Sequence, residues 1–266
     1  MSPGQAGRRR FDGALPNLVV IGAMKCGTTS LHHYLDLHPG IAMSRPKELN
    51  FFIGPDGEHP DGAHPDGARP VDWWRGTWHR GPAWYAAHFD AGAPVRGEVS
   101  PGYTSPSHPY VAERMSALIP GARLVYAVRD PIRRAVSQYR HHRRDGTERR
   151  ELEEALLDPG SQYVARGRYF DRLTPYLATG AFDGRIEIVA QEQLHGAGRA
   201  TMRRLFAHVG VDEGFWSPDM DERRNASPDE APLLPPRLRD RLTEAFRDDA
   251  DRLREYAGEE FPDWSV

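Results

Sequence analysis

The stretch Leu18-Val19-Val20-Ile21-Gly22-Ala23-Met24-Lys25-Cys26-Gly27-Thr28-Thr29-Ser30-Leu31 brings an ammonium, a thiol and three hydroxyls together within a few residues. Gly22 and Gly27 bracket a tight turn, and Thr28, Thr29 and Ser30 open the helix that follows. The unpaired N–H donors and partial positive charge of a helix N-terminus then converge with those hydroxyls and Lys25 on one spot, an arrangement suited to a phosphate or sulfate. The same hydroxyls could simply cap the helix. Lys25 also stands out by type. Of 35 basic residues only Lys25 and Lys47 are lysines, and the other 33 are arginines. An ammonium is a compact point charge on a flexible stem, whereas a guanidinium is a rigid planar fork.

The elements that must position these groups read as alternating strands and helices. Buried strands are predicted at Leu18–Ile21, Arg123–Val128 and Ile186–Val189, with shorter ones at Ile41–Met43 and Val95–Val99. Helices are predicted at 30–36, 110–118, 132–142, 169–178, 198–209 and 237–256. Such alternation implies a mostly parallel central sheet covered by helices on both faces, the α/β class. Ligands of these sheets bind at the carboxyl ends of strands. Lys25 and Arg129 both lie just past strand ends, so both should face one crevice. Trp73, Trp74, Trp78, Trp84, Tyr85 and Phe89 are read as an aromatic helical patch packed against the domain.

Two phosphate-binding patterns are excluded. A Walker loop places its lysine immediately before the helix hydroxyl, whereas here Thr28 follows Gly27 and Lys25 comes earlier. Arg129 stands where a magnesium-holding acid would close the strand, and there is no G-x-G-x-x-G turn. A nucleotide-dependent kinase is therefore disfavoured, and it is kept only as an alternative, beside a non-catalytic nucleotide-binding protein.

The segment from Pro16 to Leu31 resembles the 5′-phosphosulfate loop of sulfotransferases that use 3′-phosphoadenosine 5′-phosphosulfate (PAPS). Tyr126-Ala127-Val128-Arg129-Asp130-Pro131, with Ser137 eight residues after Arg129, resembles that family's 3′-phosphate site. Pro46-Lys47-Glu48-Leu49-Asn50-Phe51-Phe52 and Glu98-Val99-Ser100-Pro101-Gly102-Tyr103 resemble two further elements, the first found in the heparan-sulfate-type and bacterial branch. The four occur in the family's order and span about half of the chain. The resemblance implies a single P-loop-like three-layer domain and PAPS as co-substrate, with no metal. It implies that Lys25, Cys26, Gly27, Thr28, Thr29 and Ser30 hold the 5′-phosphosulfate, with Lys25 at the leaving oxygen. It assigns Arg129 and Ser137 to the 3′-phosphate. Arg223 and Arg224 fall where relatives carry a basic segment over the nucleotide, but here the glycine of that segment is missing and Asn225 replaces a basic residue. Glu48 matches the glutamate that serves as general base. Its competing reading is a surface carboxylate paired with Lys47, and that for Arg129 is a salt bridge to Asp130. Glu98 and Tyr103 could line an acceptor pocket, orient Glu48, or merely close a strand end. Arg168 is a weaker candidate, and His141 and His142 are read as surface residues.

Composition sets the outer limits. The chain has 266 residues, a net charge of −3 and 39% apolar residues, which fits one ordinary domain and gives no basic field for nucleic acid. The single cysteine, Cys26, excludes an intramolecular disulfide and points to a reducing cytoplasm. No run reaches the ~20 apolar residues of a membrane span. Residues 1–15 are expected to be a disordered tail, 16–266 the domain, and 54–70 a mobile Gly/Pro-rich insertion. The arginine-, alanine- and glycine-rich, lysine-poor composition has a bacterial look. The expected partner is a small-molecule, glycolipid or secondary-metabolite acceptor, with homodimerisation left open.

Overall fold

The computed structural model describes residues 14–54, 76–158, 160–221 and 234–266. The described chain contains strands β1 (Leu18–Gly22), β2 (Ile41–Met43), β3 (Val95–Val99), β4 (Arg123–Val128) and β5 (Ile186–Ala190). Helices are α1 (Thr28–Asp36), α2 (Gly81–Ala86), α3 (Val111–Leu118), α4 (Pro131–Arg144), α5 (Leu152–Leu157), α6 (Gln162–Ala165), α7 (Tyr169–Ala178), α8 (Gln191–Gly196), α9 (Gly198–Val209) and α10 (Pro236–Ala257).

The five strands form one parallel sheet in the order β2-β3-β1-β4-β5. The central strands carry apolar residues at successive positions because both of their faces are covered, and Leu18 to Ile21 and Leu124 to Val128 are fully buried. The chain leaves β1 through α1 toward β2, then returns through β3 and passes β1 to reach β4. Right-handed crossovers in opposite directions place α1 and α4 on opposite faces, which opens a crevice between the carboxyl ends of β1 and β4. His38 at the end of α1 packs on Phe206 of α9, and α7 packs between α3 and α10.

The expected aromatic patch packs inward. Phe51 lies flat on Tyr85 with ring centroids 4.1 Å apart, and Trp78 closes on Phe51 at 5.2 Å. Trp73 and Trp74, the insertion from residue 55 onward and the tail up to residue 13 lie outside the described residues. Leu15, expected at the end of the tail, instead packs against the core, and its carbonyl accepts from Arg96 Nε at 2.9 Å. The short helices α5, α6 and α8 were not anticipated, because one or two turns carry too little periodicity to be read from sequence.

Gly22, the last residue of β1, has no room for a side chain. A Cβ there would overlap Thr104 Oγ1 and lie 3.1 Å from the Tyr126 ring. The expected result for Gly22→Ala is a loss of about 1–3 kcal/mol of stability in urea unfolding, the cost of overpacking a rigid site. An unchanged midpoint would show that Thr104 can yield.

Candidate functional site

The loop after β1 is sewn to the adjacent strand before it reaches the helix. Ala23 N–H donates to Ala127 O of β4 at 2.6 Å, and Cys26 N–H turns back to Ala23 O at 3.2 Å. Lys25 (φ 71°) and Gly27 (φ 79°) both take the left-handed backbone conformation, which glycine adopts freely and lysine does not. Gly27 caps α1 without a side-chain hydrogen bond, and the first turn of α1 has no acidic residue. The capping position thus falls on Gly27 and not on Thr28, Thr29 or Ser30. The positive end of α1 has no acidic side chain of its own first turn beside it, an environment suited to an anion. Thr28 and Ser30 are buried, and Thr29 is exposed.

The loop after β4 meets the same place. The Arg129 guanidinium donates from Nη1 to Lys25 O at 3.5 Å. The Arg129–Asp130 salt bridge weighed from sequence is not what forms. Asp130 Oδ1 caps α4 by accepting from Arg133 N–H at 2.8 Å, and its Oδ2 accepts from Ser265 N–H at 2.5 Å. Tyr169, at the start of α7, joins the two loops. Its hydroxyl donates to Arg129 O at 2.7 Å and lies 3.5 Å from Cys26 Sγ. Cys26 is fully buried, and burial pushes its thiol up to about 11, so it is an inert spacer of the turn. Arg168 turns away and donates to Ala245 O of α10.

Helix α4 carries the remaining charges. Ser137 is half-buried, and Arg140, His141 and Arg144 follow it at the spacing of one helix face. His141 Nε2 pairs with Asp145 Oδ2 at 3.2 Å, while Arg144 Nη2 reaches His141 Nδ1 at 3.2 Å. Burial, then the Arg144 and Arg129 guanidiniums, hold the Lys25 ammonium below the ordinary lysine range, with Asp145 offsetting this in part. Burial and the Lys25 charge likewise lower His141, which favours its neutral, proton-accepting form. His141 was read from sequence as a surface residue. Its place four residues beyond Ser137 was the available signal.

Glu48 lies at the carboxyl end of β3, where its N–H donates to Val99 O at 3.0 Å. Its side chain is 42% exposed and ion-paired to Lys47, the surface arrangement weighed against the catalytic one. Arg223 and Arg224 lie outside the described residues.

Residues 16–218, well over half of the chain, match the Sulfotransferase family. This chain is a member of the sulfotransferase family. It is 28% identical to a sulfotransferase of Alicyclobacillus acidocaldarius, whose crystal structure superposes with a TM-score of 0.73 over 95% of this chain and 100% of the other. A membrane-associated sulfotransferase, kil1, of Dictyostelium discoideum is 33% identical over 130 residues, covering 47% of this chain and 22% of that protein. The bifunctional heparan sulfate N-deacetylase/N-sulfotransferase 2 of Bos taurus is 25% identical over 240 residues, covering 76% of this chain and 24% of its own length. The chain thus spans about a quarter of the length of these two relatives. Family membership sets the kinase alternative aside.

Within this sulfotransferase, Glu98 and Tyr103 lie inside the fold and do not line an open pocket. Glu98 is fully buried and accepts from Tyr85 at 2.8 Å and from Tyr103. The same Tyr103 hydroxyl accepts from Phe51 N–H at 2.8 Å, and Ser100 Oγ, which donates to Glu98, accepts from Asn50 N–H at 3.1 Å. Glu48 and Asn50 are left-handed, and this network pins the loop that carries them. Of the roles weighed, lining an open pocket is the one this geometry does not support; closing the end of β3 and holding the loop that carries Glu48 both agree with it.

Burial raises the Glu98 carboxyl to about 7 against its three hydrogen bonds. A raised folded pKa stabilises the fold below the unfolded value of 4.5 and loses that contribution as pH rises to about 7. The wild type should lose up to about 3 kcal/mol over this window, and Glu98→Gln should remove that component. Parallel stability–pH curves for the two proteins would contradict the assignment.

Proposed function

We propose that this sulfotransferase moves a sulfuryl group from PAPS to a hydroxyl, or less favourably an amine, of a small-molecule, glycolipid or secondary-metabolite acceptor. The observation that carries the donor assignment is the convergence of the Arg129 guanidinium, the Lys25 loop and the uncapped start of α1 in one crevice. The residues fit a nucleotide with anions at two positions. The N–H groups of Gly27, Thr28 and Thr29 and the hydroxyls of Thr28, Thr29 and Ser30 would hold the 5′-phosphate. Arg129 and Ser137 would hold the 3′-phosphate, with Arg223 or Arg224 as further cationic candidates. When bound, the donor supplies an activated sulfuryl group whose transfer leaves adenosine 3′,5′-bisphosphate.

Lys25 would neutralise charge on the departing phosphate oxygen; its pKa is lowered first by burial and then by Arg144 and Arg129, and a bound anion would relieve the second effect. Glu48 would take the acceptor proton, released from its pairing with Lys47 as the acceptor enters. His141, paired with Asp145 and with its pKa lowered by burial and by Lys25, is the second group suited to that task. No described helix is long and apolar enough to cross a membrane, and a bacterial cytoplasm suits a chain whose one cysteine is a buried thiol.

Transfer from radiolabelled PAPS to a panel of phenols, alcohols and amines tests the activity. With Glu48 as base, Glu48→Gln cuts kcat by about 10²–10⁴-fold and leaves bisphosphate affinity intact, while His141→Gln costs far less. The reverse ranking transfers the role to His141. Full activity in Lys25→Ala would contradict the assignment of Lys25.

A further inference from the structure

Two guanidiniums lie buried beside the crevice with no carboxylate bound to either among the described residues. Arg134, on α4, is fully buried. It donates to Gln138 Oε1 at 2.7 Å and to the carbonyl of Tyr163, and its Nε has no partner. Arg166, at the end of α6, is 9% exposed and donates to Ser105 Oγ at 3.0 Å, and its Nε also has no partner. The two guanidiniums belong to one cluster, since the Arg134 charge disfavours that of Arg166. A Cβ at Gly167, the neighbour of Arg166, would stand 3.3 Å from Arg134 Nε. Among the titratable groups around Arg166, His108 and His142 are bases that its charge helps to lower, while the buried Tyr126 phenol favours its charged form.

A guanidinium does not shed its proton, so this cluster cannot relieve itself by neutralisation. Burying a charge without a counter-charge is costly, and folds retain such an arrangement where a partner arrives later. The position suits the acceptor side. Ser105 follows Thr104, which packs on Gly22 three residues before Lys25. Arg166 and Ser105 therefore border the carboxyl end of β1 from the side of the loop after β3, whereas Arg134, on α4, follows Arg129 and the loop after β4.

We propose that Arg166, supported by Arg134 and Ser105, forms a subsite for an oxyanion carried by the acceptor, a carboxylate in the simplest case. This rests on the sulfotransferase reading and specifies its acceptor class as one bearing an acid group near the hydroxyl that is sulfated. Arg166 binds the acid by charge-assisted hydrogen bonds. Arg134 contributes positive potential, and Ser105 fixes the plane of the Arg166 guanidinium.

The experiment uses the full chain saturated with adenosine 3′,5′-bisphosphate, titrated calorimetrically with 4-hydroxyphenylacetate, its neutral amide, and acetate. The wild type is expected to bind the acid about tenfold or more tighter than the amide, and tighter than acetate, with the acid–amide difference lost in Arg166→Gln and partly kept in Arg166→Lys. Failure of the bisphosphate itself to bind would strike the sulfotransferase reading. Normal bisphosphate binding without an acid preference, or with one that survives in Arg166→Gln, would overturn the subsite alone. Equal binding of acetate and the phenolic acid would make it a free-anion site and overturn the acceptor assignment. Should Arg166→Gln not fold, the ring resonances of His108 and His142 in the wild type decide. They shift on addition of the acid if it binds at Arg166, and their indifference to it contradicts the proposal.

Discussion

The site depends on the joining of two loops that start from neighbouring strands and run to opposite faces of the sheet. Ala23 N–H is bonded to Ala127 O, and the Tyr169 hydroxyl spans from Arg129 O to the Cys26 sulfur. Without these links, Lys25 and Arg129 would each sit at the tip of a flexible loop, and the entropy of ordering both would be charged against every binding event. With them, the two cations are fixed relative to each other by the same backbone contacts that close the sheet.

Electrostatics gives this junction its chemical character. Lys25 is held beside Arg129 and Arg144, the first turn of α1 carries no acid, and Arg134 and Arg166 lie buried nearby without carboxylate partners among the described residues. Like charges gathered in this way destabilise the empty fold, and a bound anion reverses the sign of the interaction. On the proposed reading, the strain on the protein and its affinity for a sulfated or phosphorylated ligand would have one origin. The acidic counterpart is kept apart. Glu98 is locked under Tyr85 and Tyr103, where it steadies the loop that bears Glu48 without adding a negative charge to the crevice.

The sequence was most legible where a residue's role is local. The strands from Leu18, Arg123 and Ile186 announce themselves by unbroken apolar runs, and Gly27 and Lys25 by a turn that only certain residue types serve. The crevice followed from strand ends alone. What stayed hidden was tertiary. Nothing in the local pattern tells that Tyr169 reaches across to Arg129, or that Asp130 spends its carboxylate on α4 and Ser265 and so frees its neighbour. His141 looked like a surface residue because its nearness to Lys25 depends on how α4 lies over the crevice, although its i,i+4 pairing with Asp145 is local. Arg166 gave no signal at all, since an arginine beside Gly167 reads as surface until its burial is known.

The central claim is that Lys25 and Arg129 grip opposite ends of one nucleotide. Calorimetric affinities of wild type, Lys25→Met and Arg129→Met for adenosine 3′,5′-bisphosphate and for adenosine 5′-phosphate test it most directly. The account predicts that the wild type prefers the bisphosphate by about 10²-fold, the worth of a few charge-assisted hydrogen bonds. It predicts that Arg129→Met abolishes that preference, while Lys25→Met weakens both ligands alike. A bisphosphate preference that survives in Arg129→Met would contradict it.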